Sequence, residues 1–532
     1  MTFFSQQIFF SFFALIFFFF SITGLGVILN NKVLKIQINN FYENFIIGIF
    51  FIILYLQVHI IFLPINLLNS FILFALLLIG QYFFLKEIPK ILNIRFLVSL
   101  FVSYMIILNA NVYPYFTAIY DYGLYHNTYI NWLNQENITL GLANLHMRFG
   151  YSGSSYLIGA FFNFYPYFNT SFVFSTSIFF VFLIFLFLSN IKFKDNNFSS
   201  IFNILIIYVV LKYILVESLG DVSPDKITSC IIIYIFYNFI KNFRLKNRYD
   251  NNYLISLLSL TILISLSAST WVIVVFLFIY LLMEKNFSII KNIPVITLSI
   301  FLCLNFALLN FLKSGNIFYP VIFNFFETSF VVNNNDALFK IKNFPKGYPV
   351  GTEWIIPKLK NIIFLNNYVL VFCGFLISLI FLSIFKKEII FEKKKFLKLL
   401  IIINLSIIIW FLNAPDLRFA KIYFWLGITL ILSFYFEKFI INKFYPILYI
   451  CIFTYCFYSS FGNLAYKRSF VEKNQAIEKF KVKKIIKINS NDKIFISDLN
   501  YSNEKFSIPE IPENIENLTY EKNFFSKIYF KK

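Results

Sequence analysis

Charge is what this chain has least of. Only 14% of its 532 residues are Asp, Glu, Lys or Arg, while 59% are hydrophobic. A soluble domain of that composition could not cover its surface with polar groups. Histidine is nearly absent, at three residues, and cysteine stops at five. Cys230, Cys303, Cys373, Cys451 and Cys456 all lie in apolar segments. Without metal-site spacing or a loop position, they read as small core hydrophobes, not as a disulfide framework. The N-terminal run Phe3–Leu29 has no basic leader and no small-residue cleavage site. It is expected to be a retained helix, not a signal peptide.

What is present is a succession of apolar runs of roughly 17–25 residues, each long enough to cross a ~30 Å hydrocarbon layer. The expected fold is an all-α polytopic membrane protein, because unpaired backbone in lipid excludes open sheets. Helices are expected near 5–29, 44–63, 66–85, 95–110, 170–190, 200–216, 226–241, 253–268, 270–284, 293–311, 361–385, 397–412, 419–436 and 444–462. Tyr156–Phe168 is apolar but short, with Pro166 inside it, and is expected not to span.

The excess of positive charge, +20, reads as topology. Phe, Ile, Asn, Lys and Tyr are over-used together and share AT-rich codons, so the basic balance does not indicate nucleic acid. With Tyr156–Phe168 not spanning, the Lys/Arg turns all fall on one side. They include Lys32/Lys35, Lys86/Lys90/Arg95, Lys192/Lys194, Lys241/Arg244, Lys285/Lys291 and Lys386–Lys398. The positive-inside rule makes that side cytoplasmic. The loops 111–169, 217–225, 312–360 and 413–418 are then external, as is a tail of residues 463–532. The tail holds short Ile/Phe runs at Lys484–Ile488 and Lys493–Ile496 and reads as a small module with a strand and turns.

Four polar islands interrupt the apolar runs on that external side. The first opens with Asp121-Tyr-Gly-Leu-Tyr125-His126 and continues through Asn144, His146 and Arg148 to Ser152-Gly-Ser-Ser155. Asp121 is expected to open an amphipathic helix reaching about Asn134, with Tyr122, His126 and Tyr129 on one stripe. Asp121 and His126 are five apart and diverge by roughly 140°, which argues against shared ligation of one ion. An interfacial helix with a tyrosine belt explains any one of these residues; it does not explain the density of the set. The second island, Glu217-Ser-Leu-Gly-Asp221-Val-Ser-Pro-Asp225, offers carboxylates for a divalent metal such as Mg or Mn, or for an acceptor hydroxyl. Pro224-Asp225 equally suits a helix start. The third, Ser314-Gly-Asn316-Ile-Phe-Tyr319-Pro320, carries a turn signal. The fourth, Asn413-Ala-Pro415-Asp416-Leu-Arg418, sets a guanidinium suited to a phosphate clamp at the bilayer edge, or else a local cap and anchor.

In order and sidedness these islands resemble the GT-C superfamily of integral-membrane glycosyltransferases. The likeness is to a bacterial, glycosyltransferase-39-like branch related to the dolichyl-phosphate-mannose-type and lipid A aminosugar transferase families. It spans roughly residues 95–430 as scattered short motifs. The resemblance implies a GT-C-like bundle of about 12–14 transmembrane helices with an external juxtamembrane helix in the first loop. It also divides the chain into N-terminal helices 1–94, a core 95–462 and the tail. The activity implied is transfer of a sugar, with inversion, from a polyprenyl-phosphate donor to a glycan, lipid or protein acceptor outside the cytoplasmic membrane. Asp121 corresponds to the catalytic carboxylate, Asp225 to the second-loop acid and Arg418 to the late arginine near the donor phosphate. Tyr125, His126, Asn144, His146 and Arg148 are the expected substrate-binding set, with Asp225 and Asp221 the expected metal ligands. The chain departs from the pattern at Tyr122, where a second acid is common. It departs again at Tyr151–Ser155, where Lys-Pro-Pro is usual, and at Ile317, where Pro is more usual. Two other classes compete: a transporter or flippase for a lipid-linked or anionic solute, and a polysaccharide polymerase or ligase working through loop 313–360.

Overall fold

The computed structural model describes residues 3–38, 40–112, 126–144, 147–150, 153–168, 170–190, 198–216, 222, 224–241, 249–266, 271–283, 292–319, 394–413 and 417–439. It also describes short pieces between 355 and 377, and four strands in the tail. Among the described residues, the elements up to residue 439 are helices. The first four helices are α1 (Phe3–Leu29), α2 (Asn44–Phe62), α3 (Phe71–Ile91) and α4 (Ile94–Val112). Then come the short α5 (Asn127–Gln135), α6 (Ser154–Phe162) and α7 (Ser171–Phe174). Longer helices follow: α8 (Ser177–Ser189), α9 (Phe198–Val216), α10 (Pro224–Lys241), α11 (Tyr249–Leu266), α12 (Trp271–Met283), α13 (Ile293–Ser314), α14 (Lys394–Asn413) and α15 (Leu417–Phe439). Four of the described helical stretches are long and apolar enough to cross a membrane, and shorter apolar helices pack with them. This is a helical membrane protein.

Helix starts and breaks follow local chemistry. The α3 segment begins at Phe71 instead of near residue 66, because the preceding residues form a turn. Asn69 N donates to Asn66 Oδ1 at 2.9 Å, and Ser70 N donates to Asn66 O at 3.0 Å. The apolar run expected as one helix over 170–190 is split between α7 and α8.

Lipid offers no hydrophobic drive between helices, so small residues set close packing. A Cβ added to Gly24 would lie 1.9 Å from Gly80 O, and one added to Gly80 would lie 2.2 Å from Ser21 O. The backbones of α1 and α3 therefore touch. The outer face of α3 presents Phe71, Ile72, Leu78, Ile79 and Tyr82, a surface suited to acyl chains. Phe18 of α1 packs against Phe162, Phe164 and Phe174, joining the N-terminal helices to the rest of one core.

The two ends of the bundle differ chemically. At one end Asn292 Nδ2 donates to Leu34 O (3.1 Å), and Arg95 donates to Ser189 O (3.2 Å). There also Lys241 Nζ meets Glu43 Oε1 at 2.7 Å. Among the described residues, Lys32, Lys35, Arg95 and Lys241 belong to this end. At the other end Ile138 N donates to Ile60 O (2.8 Å), Gly141 N to Leu312 O (3.0 Å) and Leu67 N to Tyr165 O (3.0 Å). The described residues of the first polar island are folded here. The segment expected not to span overlaps α6, nine residues and about 14 Å long, less than half the hydrocarbon thickness. All nine residues are buried.

The tail forms two antiparallel hairpins, β1 (Val482–Lys487) with β2 (Lys493–Ser497), and β3 (Leu518–Lys522) with β4 (Lys527–Lys531). Strand β4 lies against the turn Leu142–Asn144 of the first island.

Candidate functional site

Helix α5 is held by polar groups at the end of α2 and α6. Asn134 is fully buried in this clamp. Its amide donates to Ile65 O (2.6 Å) and Ala160 O (2.8 Å), and its Oδ1 accepts from Asn163 Nδ2 (2.7 Å). Ile65 N donates to Leu133 O at 2.8 Å, and Trp132 Nε1 donates to Thr139 Oγ1 at 3.0 Å. Buried amides satisfied in this way fix one geometry.

The face of α5 turned toward α6 and α13 carries the chemistry. His126 and Tyr129, on one stripe as expected, both reach Tyr156 of α6. His126 Nδ1 and the Tyr156 hydroxyl share a hydrogen bond at 2.8 Å, and the two rings stack at 5.4 Å. Tyr129 meets Tyr156 edge-on at 5.1 Å and stacks on Phe149 at 5.6 Å. Lys313, in the last turn of α13, donates from Nζ to the Tyr129 hydroxyl. Both are buried, each 1% exposed. Burial pushes the Tyr129 phenol well above its ordinary pKa, so it stays protonated and neutral.

The third island folds onto the first. Besides the Gly141–Leu312 bond, a Cβ on Gly150 would lie 2.7 Å from Tyr319 Cε1 and 2.8 Å from Ala143 Cβ. Gly150 is thus the gap that lets Tyr319 close over the island. Ser314 and Asn316 hold the turn, with Asn316 N donating to Ser314 Oγ at 3.1 Å and Gly315 left-handed at φ 73°.

The sequence matches the family described as "Domain of unknown function (DUF8201)" over residues 8–425. The chain belongs to this DUF8201 family. No curated protein and no solved structure matches it. The DUF8201 region covers the N-terminal helices from residue 8 and all four islands, and ends before the hairpins of the tail.

Within the DUF8201 region the expected site residues fall as follows. His126 is buried at the start of α5 in the ring cluster. Asn144 is buried in the turn beneath β4, its N–H donating to Gly141 O at 2.9 Å. Arg148 is half-buried in the turn Met147–Gly150. Asp225 is half-buried in the first turn of α10 behind Pro224, where a carboxylate complements the helix N-terminus. Asp121, Tyr125, His146 and Asp221 lie outside the described residues, as does the Arg418 side chain. The Arg418 backbone belongs to the first turn of α15. Among the described residues no three His, Cys, Asp or Glu side chains gather to hold a metal ion. The structure joins the first and third islands through Tyr129, Lys313, Gly150 and Tyr319.

Lys313 and Tyr156 are the side chains whose importance the sequence did not announce; Tyr129 was expected only as a member of the stripe with His126. A lysine closing an apolar helix reads as an interfacial anchor. One signal was available: Lys313 falls on the side whose short turns otherwise carry few basic residues.

Proposed function

We propose that this protein is a membrane glycosyltransferase that moves a sugar from a polyprenyl-phosphate donor to an acceptor at the outer face of the cytoplasmic membrane. The observation that carries the reading is the clamped polar island at the end of the bundle away from the basic turns. It brings an imidazole, three phenols and a lysine amine together beneath an apolar helical body. The positive-inside rule makes the opposite, basic end cytoplasmic. A lipid-linked donor needs this layout, with its chain in the bilayer and its sugar–phosphate bond at the bilayer edge.

In the proposed reaction Asp121 accepts the proton of the acceptor hydroxyl. That oxygen attacks the anomeric carbon from the face opposite the phosphate, the carbon–oxygen bond to phosphate breaks, and polyprenyl phosphate leaves with inversion. Arg418 stabilises the charge that develops on the leaving phosphate. His126, hydrogen-bonded to Tyr156, positions substrate together with Tyr125, Asn144, His146 and Arg148. A divalent ion would draw on Asp225 and Asp221. Asp225 alone, at a helix start, does not make a metal site.

The test is Asp121→Asn in purified membranes supplied with a panel of radiolabelled polyprenyl-phosphate sugars. The expected result is loss of glycan product with unchanged membrane insertion. Undiminished product in the variant overturns the assignment of the base. Absence of transfer by the natural chain across the panel overturns the donor class.

A further inference from the structure

His126, at the start of α5, and Tyr156, in the first turn of α6, are both buried, and they meet through Nδ1 and the hydroxyl at 2.8 Å. A hydrogen bond between an imidazole and a phenol can run either way. Ring chemistry favours one direction. The unprotonated imidazole nitrogen holds its lone pair in the ring plane, outside the π system, and is a strong acceptor. The phenol oxygen shares electron density with its ring, which weakens it as an acceptor and strengthens its O–H as a donor. The separation agrees, lying at the value common for hydroxyl donors, about 2.7–2.8 Å, and below the about 2.9–3.0 Å common for N–H donors.

Tyr156 is itself held in place. Tyr129 meets its ring edge-on at 5.1 Å, a geometry that aromatic pairs prefer. Tyr129 is fixed in turn by stacking on Phe149 and by its hydrogen bond with Lys313 of α13. The stacking of the His126 and Tyr156 rings at 5.4 Å adds a second contact between the pair. Three helices, α5, α6 and α13, thus converge on the orientation of one imidazole.

We propose that Tyr156 is a positioning residue whose hydroxyl donates a hydrogen bond to His126 Nδ1, fixing the imidazole as the tautomer with its proton on Nε2. The group that orients one ring nitrogen decides which proton the other carries. His126 then enters the site as a neutral hydrogen-bond donor and not as a base, which suits an oxygen of the substrate. That use rests on the transferase reading; the tautomer does not.

The experiment is nitrogen NMR of the full chain in nanodiscs, with isotopically labelled histidine. It is run at about pH 9, where an unperturbed imidazole, titrating near about 6.5, is neutral. The chain has three histidines, and His126→Gln identifies the ring signals that belong to His126. Protonated and unprotonated ring nitrogens resonate in separate regions, so the tautomer is read directly. The natural protein is expected to carry the His126 proton on Nε2. A proton on Nδ1 overturns the proposal with no variant needed. An unprotonated nitrogen moves upfield when it accepts a hydrogen bond, so Tyr156→Phe, which keeps the ring and loses the hydroxyl, should move Nδ1 downfield. An unmoved Nδ1 signal overturns the proposal. His59, whose Nε2 faces Pro64 O at 3.3 Å, is the control for folding and should keep its signals. In sugar-transfer assays Tyr156→Phe is expected to raise KM roughly tenfold with kcat kept, the effect of one lost hydrogen bond. Unchanged KM beside a moved Nδ1 signal overturns the substrate role of the pair. The expected Nδ1 signal in a chain that transfers no sugar leaves Tyr156 acting on His126 and removes the transferase.

Discussion

Replacing Asn134 by leucine should detach the first island from the bundle while keeping the branched shape of the side chain. Three hydrogen bonds are lost: to Ile65 O at 2.6 Å, to Ala160 O at 2.8 Å and from Asn163 Nδ2 at 2.7 Å. At roughly 1 kcal/mol net each, the bonds account for about 3 kcal/mol. Ala160 O keeps a partner, Asn163 N at 3.3 Å. Ile65 O and the Asn163 amide lose theirs, and a buried group left unpaired adds about 1–3 kcal/mol. The sum, about 4 kcal/mol or more, corresponds to roughly a thousandfold rise in opening of α5. The assay is hydrogen exchange of the α5 amides in detergent micelles, alongside a denaturant titration of the whole chain. Exchange within a factor of two of the natural protein would mean that the clamp is not what holds α5. The effect should be local: α1–α3 pack elsewhere through Gly24 and Gly80, and their exchange should not change.

The Glu43–Lys241 pair should respond asymmetrically. Glu43 is fully buried whereas the Lys241 side chain is 18% exposed, so Lys241→Met strands a carboxylate and should cost about 3–5 kcal/mol. Glu43→Gln leaves an ammonium that can turn outward and should cost about 1 kcal/mol; equal unfolding midpoints for the two variants would contradict this. Gly80→Leu should push α1 off α3, since even its Cβ would lie 2.2 Å from Ser21 O. The expected cost is about 3 kcal/mol or more, read as loss of the monodisperse peak on size exclusion, with Gly80→Ala intermediate.

Most of the helical fold was legible because apolar run length is dictated by the bilayer. The runs at 44–63, 95–110 and 293–311 correspond to α2, α4 and α13 within a few residues. The α3 start was misplaced because Ile65, Leu67 and Leu68 are apolar in composition yet lie in a turn whose backbone is tied to Leu133 and Tyr165. The site was legible only as a density of polar residues. His126 and Tyr129 share a stripe that helical spacing predicts, but the group that gives the stripe its meaning is 184 positions away at Lys313. No local pattern encodes that pairing; it exists only once α13 ends beside α5. The third island read as a plain turn, and its left-handed Gly315 fits that reading. Its contribution to the island comes from Tyr319, which fills the space left by Gly150.

Helix α6 has a consequence for how the chain is made. Nine residues, Phe161 and Phe162 among them, end up wholly buried at the edge of the bundle. A segment that short does not meet the length of about 20 residues needed for independent insertion. It is therefore expected to leave the ribosome and the insertion machinery as an aqueous, aggregation-prone stretch. It can be enclosed only once the longer helices it packs against, α2, α10 and α11, are in place. Two of those are synthesised after it. The polar island, fastened to α6 through Asn134 and Tyr156, is thus completed late and from outside the hydrocarbon layer, so maturation of the site is post-insertional.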